Sequence, residues 1–144
     1  MSHEDLVARL VQHQFAFSWP AQASQYPSAG DHGIRYFKGV LPKEEFGSGA
    51  YVNCLLFRDE SGVLTGILNH YPQDMVPYVL AGEIAIQVRP DQRRAGIATR
   101  LLREALTRWT IDLHAQRTTP DGQVFLESFL AGENTRLHRG GRRG

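Results

Sequence analysis

The sequence predicts a mixed α/β fold in a single domain, and three observations lead to this prediction. Two apolar, β-prone runs at 50–58 and 63–71 flank a short turn that contains glycine, which is typical of a β-hairpin. A third apolar run at 84–88 is followed by a turn of small residues and then by an amphipathic helical segment. The chain has 144 residues, enough for one domain with a substantial core. We therefore expect a twisted mixed sheet with flanking helices.

The segment before the hairpin predicts one helix and one strand. Apolar residues recur at helical spacing in 3–17, and the Trp19-Pro20 pair ends that pattern. Residues 20–33 are rich in Pro, Ser, Gly and Gln and lack periodicity, so we expect a loop there. Residues 34–41 predict a short strand. Both arms of the following hairpin are almost continuously apolar, which indicates a sheet covered on both faces.

A strand, a helix and a further strand are expected after the hairpin. The strand is predicted at 83–89, and the segment 99–109 has the apolar and charged sides of a helix docked on a sheet. Apolar and polar residues alternate at 110–117, which predicts a strand with one polar face. Strand, helix and strand in this order imply a right-handed parallel crossover, and this is why we expect a mixed sheet.

The C-terminal region predicts one last helix and a tail. Thr119-Pro120-Asp121 has the composition of a helix start, and Gly132 is expected to end the helix. Residues 133–144 carry several Gly and Arg without periodicity. We therefore expect a single domain over 1–132, followed by a mobile tail.

The bulk composition argues against several classes of partner. The formal net charge is only +1, so no strong global field favours nucleic acid. No apolar run approaches the roughly 20 residues of a membrane span, and the first residues lack the pattern of a signal peptide. Cys54 is the single cysteine, lies in an apolar run, and is expected to be a buried small residue. No residues have metal-ligand spacing. A cytoplasmic protein is expected.

The turn between the third strand and its helix has the chemistry of an anion site. Such a turn directs free backbone N–H groups and the positive end of the helix dipole at one point. Gly96 permits close approach of the backbone, Ala98 keeps a neighbouring position small, and Arg93 and Arg94 precede them. The N–H groups of 94–99 can therefore converge on a pyrophosphate, with an arginine at its edge. The turn has neither the three glycines of a Rossmann fingerprint nor the Gly-Lys-Ser/Thr of a P-loop.

These residues resemble the acyl-CoA motif of the GNAT superfamily of N-acyltransferases. The family pattern is Gln/Arg-x-x-Gly-x-Gly/Ala after a strand and at the start of a helix, and Arg93, Gly96 and Ala98 match it. The resemblance covers about 53–130. It implies a GNAT-like fold, acetyl-CoA (coenzyme A) as cofactor, and a pyrophosphate site on Arg93, Arg94, Ala95, Gly96, Ile97, Ala98 and Thr99. It further implies that the pantetheine arm lies along Ile86, Gln87 and Val88, where a backbone N–H would polarise the thioester carbonyl.

The resemblance also suggests a catalytic base. An alkylamine acceptor is protonated at neutral pH and must lose a proton before it can attack. Many family members have a glutamate near the start of the motif strand at the offset of Glu83, so Glu83 is the predicted base and His70 the reserve candidate. Many relatives also place a tyrosine on the last helix to protonate the leaving thiolate, but the nearest equivalent here is Phe125. Relatives usually end with two more strands, for which few residues remain here.

The predicted function is transfer of an acetyl group from acetyl-CoA to an amine, directly within a ternary complex. The acceptor, a small molecule or a peptide, is not specified by the sequence. One alternative is a GNAT-like module that binds acyl-CoA without turnover, which the absent tyrosine and short C-terminal end favour. Another is a structural or partner-binding domain without a cofactor. A strand edge left exposed by the missing strands could pair two subunits in a homodimer.

Overall fold

The computed structural model describes residues 19–24, 26–74, 80–93, 95–118 and 120–141. The chain divides after Asp112 into two compact units. The helices and strands of the first unit are, in order, α1 (Trp19–Ala23), β1 (Gly33–Val40), α2 (Lys43–Phe46), β2 (Tyr51–Arg58), β3 (Leu64–His70), β4 (Ile84–Val88) and α3 (Ile97–Arg108). The predicted helix at 3–17 lies outside the described residues.

The first unit is built on a four-stranded sheet in the order β1-β2-β3-β4, with every neighbouring pair antiparallel. The predicted hairpin is confirmed, because β2 pairs with β3 from Asn53↔His70 to Arg58↔Leu64. Its turn is held by Asp59, whose Oδ1 accepts hydrogen bonds from the backbone N–H groups of Ser61 and Val63 at 2.9 and 3.0 Å. An aspartate that bonds backbone donors beyond it is a common way to close a turn.

Both faces of the central strands are covered, as the apolar sequence of the hairpin predicts. On one face, β2 and β3 contribute a buried cluster: Val52, Cys54, Leu56, Leu64, Ile67 and Tyr71. The partly buried Trp19 of α1 and Phe46 of α2 pack against this cluster. On the other face, α3 buries Ile97, Leu101, Leu102 and Ala105. Side chains alternate between the faces of a strand, so β2 and β3 serve both layers of the core.

The prediction of a strand at 110–117 is wrong, and so are the predictions of a parallel crossover and a mixed sheet that depended on it. In the structure this run contains only a short 3₁₀ turn, Leu113–Ala115, and the four described strands are all antiparallel. Asp112 and Ala115 are weak strand formers, and Ala115 is exposed. A period-two pattern of a few residues does not by itself provide a buried face for a strand. The mixed α/β class is confirmed in the coarser form of one antiparallel sheet with helices.

The second unit contains α4 (Pro120–Gly141). The predicted start is confirmed, with Pro120 as the first helical residue and Asp121 in the first turn. The predicted end at Gly132 is wrong, since the helix continues to Gly141. A single glycine inside a helix costs only about 1 kcal/mol relative to alanine, and helix-forming residues follow it here. The predicted mobility of 133–144 stays a prediction.

Among the described residues, no helix is both long and apolar enough to cross a membrane.

Candidate functional site

The turn between β4 and α3 is the strand–turn–helix element that the sequence predicts. After β4, the backbone N–H of Arg89 donates to the carbonyl of Thr65 at 2.8 Å, and Pro90–Gln92 then forms a 3₁₀ turn. Gly96 caps α3 in the left-handed region, with φ 77° and ψ 13°. An L side chain is strained there, which explains the glycine. A Cβ on Gly96 would meet no atom within 4 Å, so the space above this backbone is open.

The start of α3 presents backbone donors that have no acceptor within the helix. The first intrahelical bond runs from the N–H of Arg100 to the carbonyl of Gly96, at 3.1 Å. The N–H groups of Ile97, Ala98 and Thr99 therefore precede the helical ladder. No side chain caps the helix at Gly96. Among the described residues nothing accepts from these donors, so they are available to an anion at the positive end of the helix dipole.

Two described arginines, Arg93 and Arg100, are close in sequence to this helix start. The Arg93 side chain is exposed, and its Nε donates to the carbonyl of Val88 at 3.4 Å, which directs it over the end of β4. The Arg100 guanidinium lies 4.7 Å from the centre of the Phe57 ring, one turn into α3. Arg94 lies outside the described residues. The exposed Arg93 side chain therefore adds a positive charge next to this turn, which favours a negatively charged ligand.

The predicted pantetheine-binding residues lie on an edge strand. Among the described strands, β4 is at the edge of the sheet and pairs with β3, with Leu68 opposite Ile86 and Gly66 opposite Val88. All five residues of β4 are half-buried. Alternation places Ile86 and Val88 on the α3 face and Gln87 on the opposite face. An edge strand directs alternate N–H and C=O groups away from its one neighbour, so an extended ligand can add to it as a further strand.

Glu83 is buried just before β4 and is part of the loop that enters it. Its Oε1 accepts a hydrogen bond from the backbone N–H of Leu80 at 2.9 Å. Its carbonyl accepts from the N–H of Tyr71 at 3.0 Å, which extends the β3–β4 ladder by one residue. Burial above all, with smaller contributions from Cys54 and from the charge of Glu83, raises the pKa of Tyr71 to about 12. The Glu83 carboxylate therefore holds the loop as well as being a candidate base.

His70 lies at the end of β3 on the other side of the sheet. Its Nδ1 is 3.1 Å from Nδ2 of Asn53, and the Oδ1 of Asn53 accepts from the hydroxyl of Tyr36 at 2.6 Å. The Trp109 ring stacks on the His70 ring with centroids 4.6 Å apart and an angle of 3° between the planes. Burial lowers the pKa of His70, so the ring is neutral near pH 7.

The structure does not bring the two predicted bases together. His70 pairs with Ile84 and faces α3 and Trp109, whereas Glu83 interacts with Tyr71, a member of the cluster on the opposite face. No pattern in the sequence indicates that Tyr36 and Asn53 are neighbours of His70. Only the strand register reveals them, because Asn53 is directly opposite His70. Phe125 lies on α4, where its ring is 6.3 Å from that of Phe129.

Comparisons with protein-family models, with curated proteins and with solved structures find no match. The likeness of the turn to the GNAT motif therefore depends on the residues of this chain alone. Among the described residues, no group of three or more His, Cys, Asp and Glu side chains could hold a metal ion.

Proposed function

We propose that the protein is an N-acetyltransferase that transfers an acetyl group from acetyl-CoA to an amine within a ternary complex. The observation that carries the proposal is the start of α3, where Gly96 adopts a left-handed conformation beneath open space and leaves the helix without a side-chain cap. The turn follows an edge strand, as a site for an extended ligand with a phosphate end requires.

The turn supports binding of a pyrophosphate. The N–H groups of Ile97, Ala98 and Thr99 would donate to its oxygens, and Arg93 would supply charge at its edge. Hydrogen bonds to a charged group contribute about 1.5–3 kcal/mol each, and the helix dipole adds about 0.3–1 kcal/mol. A few such contacts are enough to hold a doubly charged group at a solvent-exposed turn. Residues Arg94 and Ala95 complete the proposed pyrophosphate site.

The edge of β4 would hold the rest of the donor. An extended arm that adds to Ile86, Gln87 and Val88 makes main-chain hydrogen bonds without requiring particular side chains. A backbone N–H in this stretch would donate to the thioester carbonyl and stabilise the negative charge that develops on its oxygen. The proposed acetyl position is therefore toward the start of β4, and the two candidate bases, Glu83 and His70, flank that end of the strand.

Glu83 is the proposed general base. Replacing it with glutamine keeps the size of the side chain and an oxygen for the Leu80 N–H, but removes the proton acceptor. We expect Glu83→Gln to lower kcat for acetylation by about 10²–10⁴-fold and to remove the acid-side limb of the pH–rate profile. Glu60→Gln, at an exposed position in the β2–β3 turn, is the matched control and should behave as wild type. An unchanged pH–rate profile in Glu83→Gln would exclude Glu83 as the base.

A second candidate function is an acyl-CoA-binding module without turnover. The hydrogen bond from the Leu80 N–H to the Glu83 carboxylate favours it, because that contact gives Glu83 a purely structural use. Release of free thiol from acetyl-CoA in the presence of an amine panel separates the two functions. Thiol release above the rate without protein supports the transferase. Tight binding of acetyl-CoA without thiol release supports the module, and a lack of binding contradicts both.

A further inference from the structure

Tyr36, Asn53 and His70 form a line of side chains across three neighbouring strands. Asn53 is directly opposite His70 in the β2–β3 register, and Tyr36 is two residues from Lys38, which is opposite Asn53 in the β1–β2 register. Direct and diagonal neighbours on one face of a sheet are within reach of each other. Asn53 and His70 are buried, and Tyr36 is 43% exposed. The line therefore begins at the surface and ends beneath Trp109.

The distances assign the donor and acceptor at each position. The Tyr36 hydroxyl donates to Oδ1 of Asn53 at 2.6 Å, a length typical of an O–H···O bond. The amide oxygen therefore faces Tyr36, and the NH₂ group faces Nδ1 of His70 at 3.1 Å. An amide nitrogen only donates, so Nδ1 must be the unprotonated nitrogen of the ring.

The second ring nitrogen of His70 then carries the proton. Neutral imidazole has one N–H, and with Nδ1 as acceptor it lies on Nε2. Among the described residues no group accepts from Nε2, and this atom is not one of the fully enclosed polar atoms that lack a partner. The Nε2–H of His70 therefore has no acceptor among the described residues. Nδ1 of His70 already accepts a hydrogen bond from Asn53, and Nε2 already carries a proton. The ring can therefore donate a hydrogen bond from Nε2 but cannot accept a proton.

The surroundings of His70 maintain the neutral ring. Tyr36 on β1, Asn53 on β2, Ile84 on β4 and the stacked Trp109 after α3 face it. The Arg108 guanidinium contacts the neighbouring Tyr36 ring and lies 5.9 Å from its centroid. Burial lowers the pKa of His70, and no charged group among the described residues opposes this.

We infer that Asn53 is a positioning residue that holds His70 as the Nε2–H tautomer, and that His70 donates a hydrogen bond to the acyl carbonyl oxygen of the bound donor. The hydrogen bond to the acyl carbonyl rests on the proposed function, whereas the assignment of the tautomer does not. His70 pairs with Ile84, which is four residues or roughly 13 Å along the strand from Val88, the residue that leads into the proposed phosphate-binding turn. This is the end of β4 toward which the acyl group would extend. His70 would then be a second donor beside the backbone N–H of β4, and it would not be the base.

The tautomer is tested by two-bond ¹H–¹⁵N spectra of the imidazole nitrogens at pH 7, assigned with His70→Gln. We expect an Nε2–H tautomer for His70 in the free wild-type protein. In Asn53→Asp, the carboxylate can only accept, so His70 should become Nδ1-protonated and its pKa should rise. Asn69→Asp, at a buried asparagine on the opposite face, is the matched control and should leave the spectrum of His70 unchanged. An Nδ1–H tautomer of His70 in the wild-type protein would overturn the inference, and this result depends on neither asparagine variant.

The donor role is tested by comparing acetyl-CoA with coenzyme A. Acetyl-CoA should shift the Nε2 resonance of His70 and coenzyme A should not, because only the former has the carbonyl. Equal shifts, or no shift from bound acetyl-CoA, would contradict the donor role, while failure of acetyl-CoA to bind would contradict the proposed function instead. In the thiol-release assay, His70→Gln retains an N–H donor and should stay within about tenfold of wild type, whereas His70→Leu should lose about 10²-fold. Equal losses in both variants would indicate a base.

Discussion

Gly96 shows how one residue can determine the chemistry of a surface. Its positive φ ends the turn in the orientation that starts α3, and the missing Cβ leaves open space above the backbone donors. A non-glycine residue would adopt this conformation at a cost of about 1–2 kcal/mol. The glycine is visible in the sequence, and its use in a strand–turn–helix element was predicted correctly from the apolar runs around it. Its conformation follows only from the structure.

Cys54 is a residue whose environment the sequence indicates well. It was predicted to be a buried small residue, and this is confirmed by a relative exposure of 2%. The Tyr26 hydroxyl lies 3.3 Å from its Sγ, and burial raises the pKa of the thiol. We therefore expect Cys54 to react with Ellman's reagent more than 10²-fold more slowly in the native protein than in urea. Rapid reaction of the native protein would show that this part of the core opens readily.

At the scale of elements, the hairpin could be predicted because its two arms and its turn agree. The arms are apolar at successive positions, and the turn has an aspartate that binds backbone donors in the structure. The segment 110–117 was mispredicted because its alternation was the only indication of a strand. A strand needs a neighbour and a face to bury, and neither property is encoded in a local pattern.

The docking of α3 on the sheet depends on Gly66. A Cβ at this position would lie 2.6 Å from Cγ2 of Ile97 and 3.1 Å from Cδ1 of Leu101. We expect Gly66→Ala to lower the free energy of unfolding by about 1–3 kcal/mol, because the helix must shift or its side chains must leave their preferred rotamers. Urea denaturation followed by circular dichroism measures this change.

Gly39→Ala is the matched control for that substitution. Gly39 is also inside a strand, but the added Cβ would make contacts of 3.4 Å or longer, with Cys54 and Val52. It should therefore change the stability by less than about 1 kcal/mol. Equal losses in the two variants would show that the tight contact between Gly66 and α3 does not determine the stability.

At the scale of the whole molecule, the sheet brings together residues that are distant in sequence. Tyr36, Asn53, His70 and Trp109 span more than half of the chain, and each is an ordinary residue in its own segment. Their meeting depends on strand order and register, which a single sequence does not specify. The strand–turn–helix element around Gly96, where we propose the phosphate site, could be predicted because all its residues are contiguous. The cluster of Tyr36, Asn53, His70 and Trp109 could not be predicted, because its residues come from four separate segments of the chain.

The stability of the molecule should depend on pH through His70. Its pKa in the folded protein is below the ordinary histidine value of about 6.5, so the unfolded chain binds a proton more readily. The contribution of the neutral ring to the free energy of unfolding is therefore fully present above about pH 6.5. It is lost as the pH falls below that value toward the pKa of His70 in the folded protein. Urea midpoints measured from pH 7.5 to 5 should decrease in wild type, and His70→Gln should reduce this decrease. His32→Gln, at an exposed histidine, should retain it, and an identical pH dependence in all three proteins would contradict the assignment.

Calorimetric titration with acetyl-CoA tests most directly whether the turn binds the donor. The decisive comparison is between Gly96→Glu and Gly49→Glu. Both glycines have a positive φ, of 77° and 84°, and open space at the Cβ position, so the two variants have equal strain and equal charge change. Only Gly96→Glu places a carboxylate over the proposed pyrophosphate site. We expect wild type and Gly49→Glu to bind with similar Kd and Gly96→Glu to bind at least about 10²-fold more weakly, a loss of roughly 2.7 kcal/mol. Equal binding by all three proteins would contradict the site.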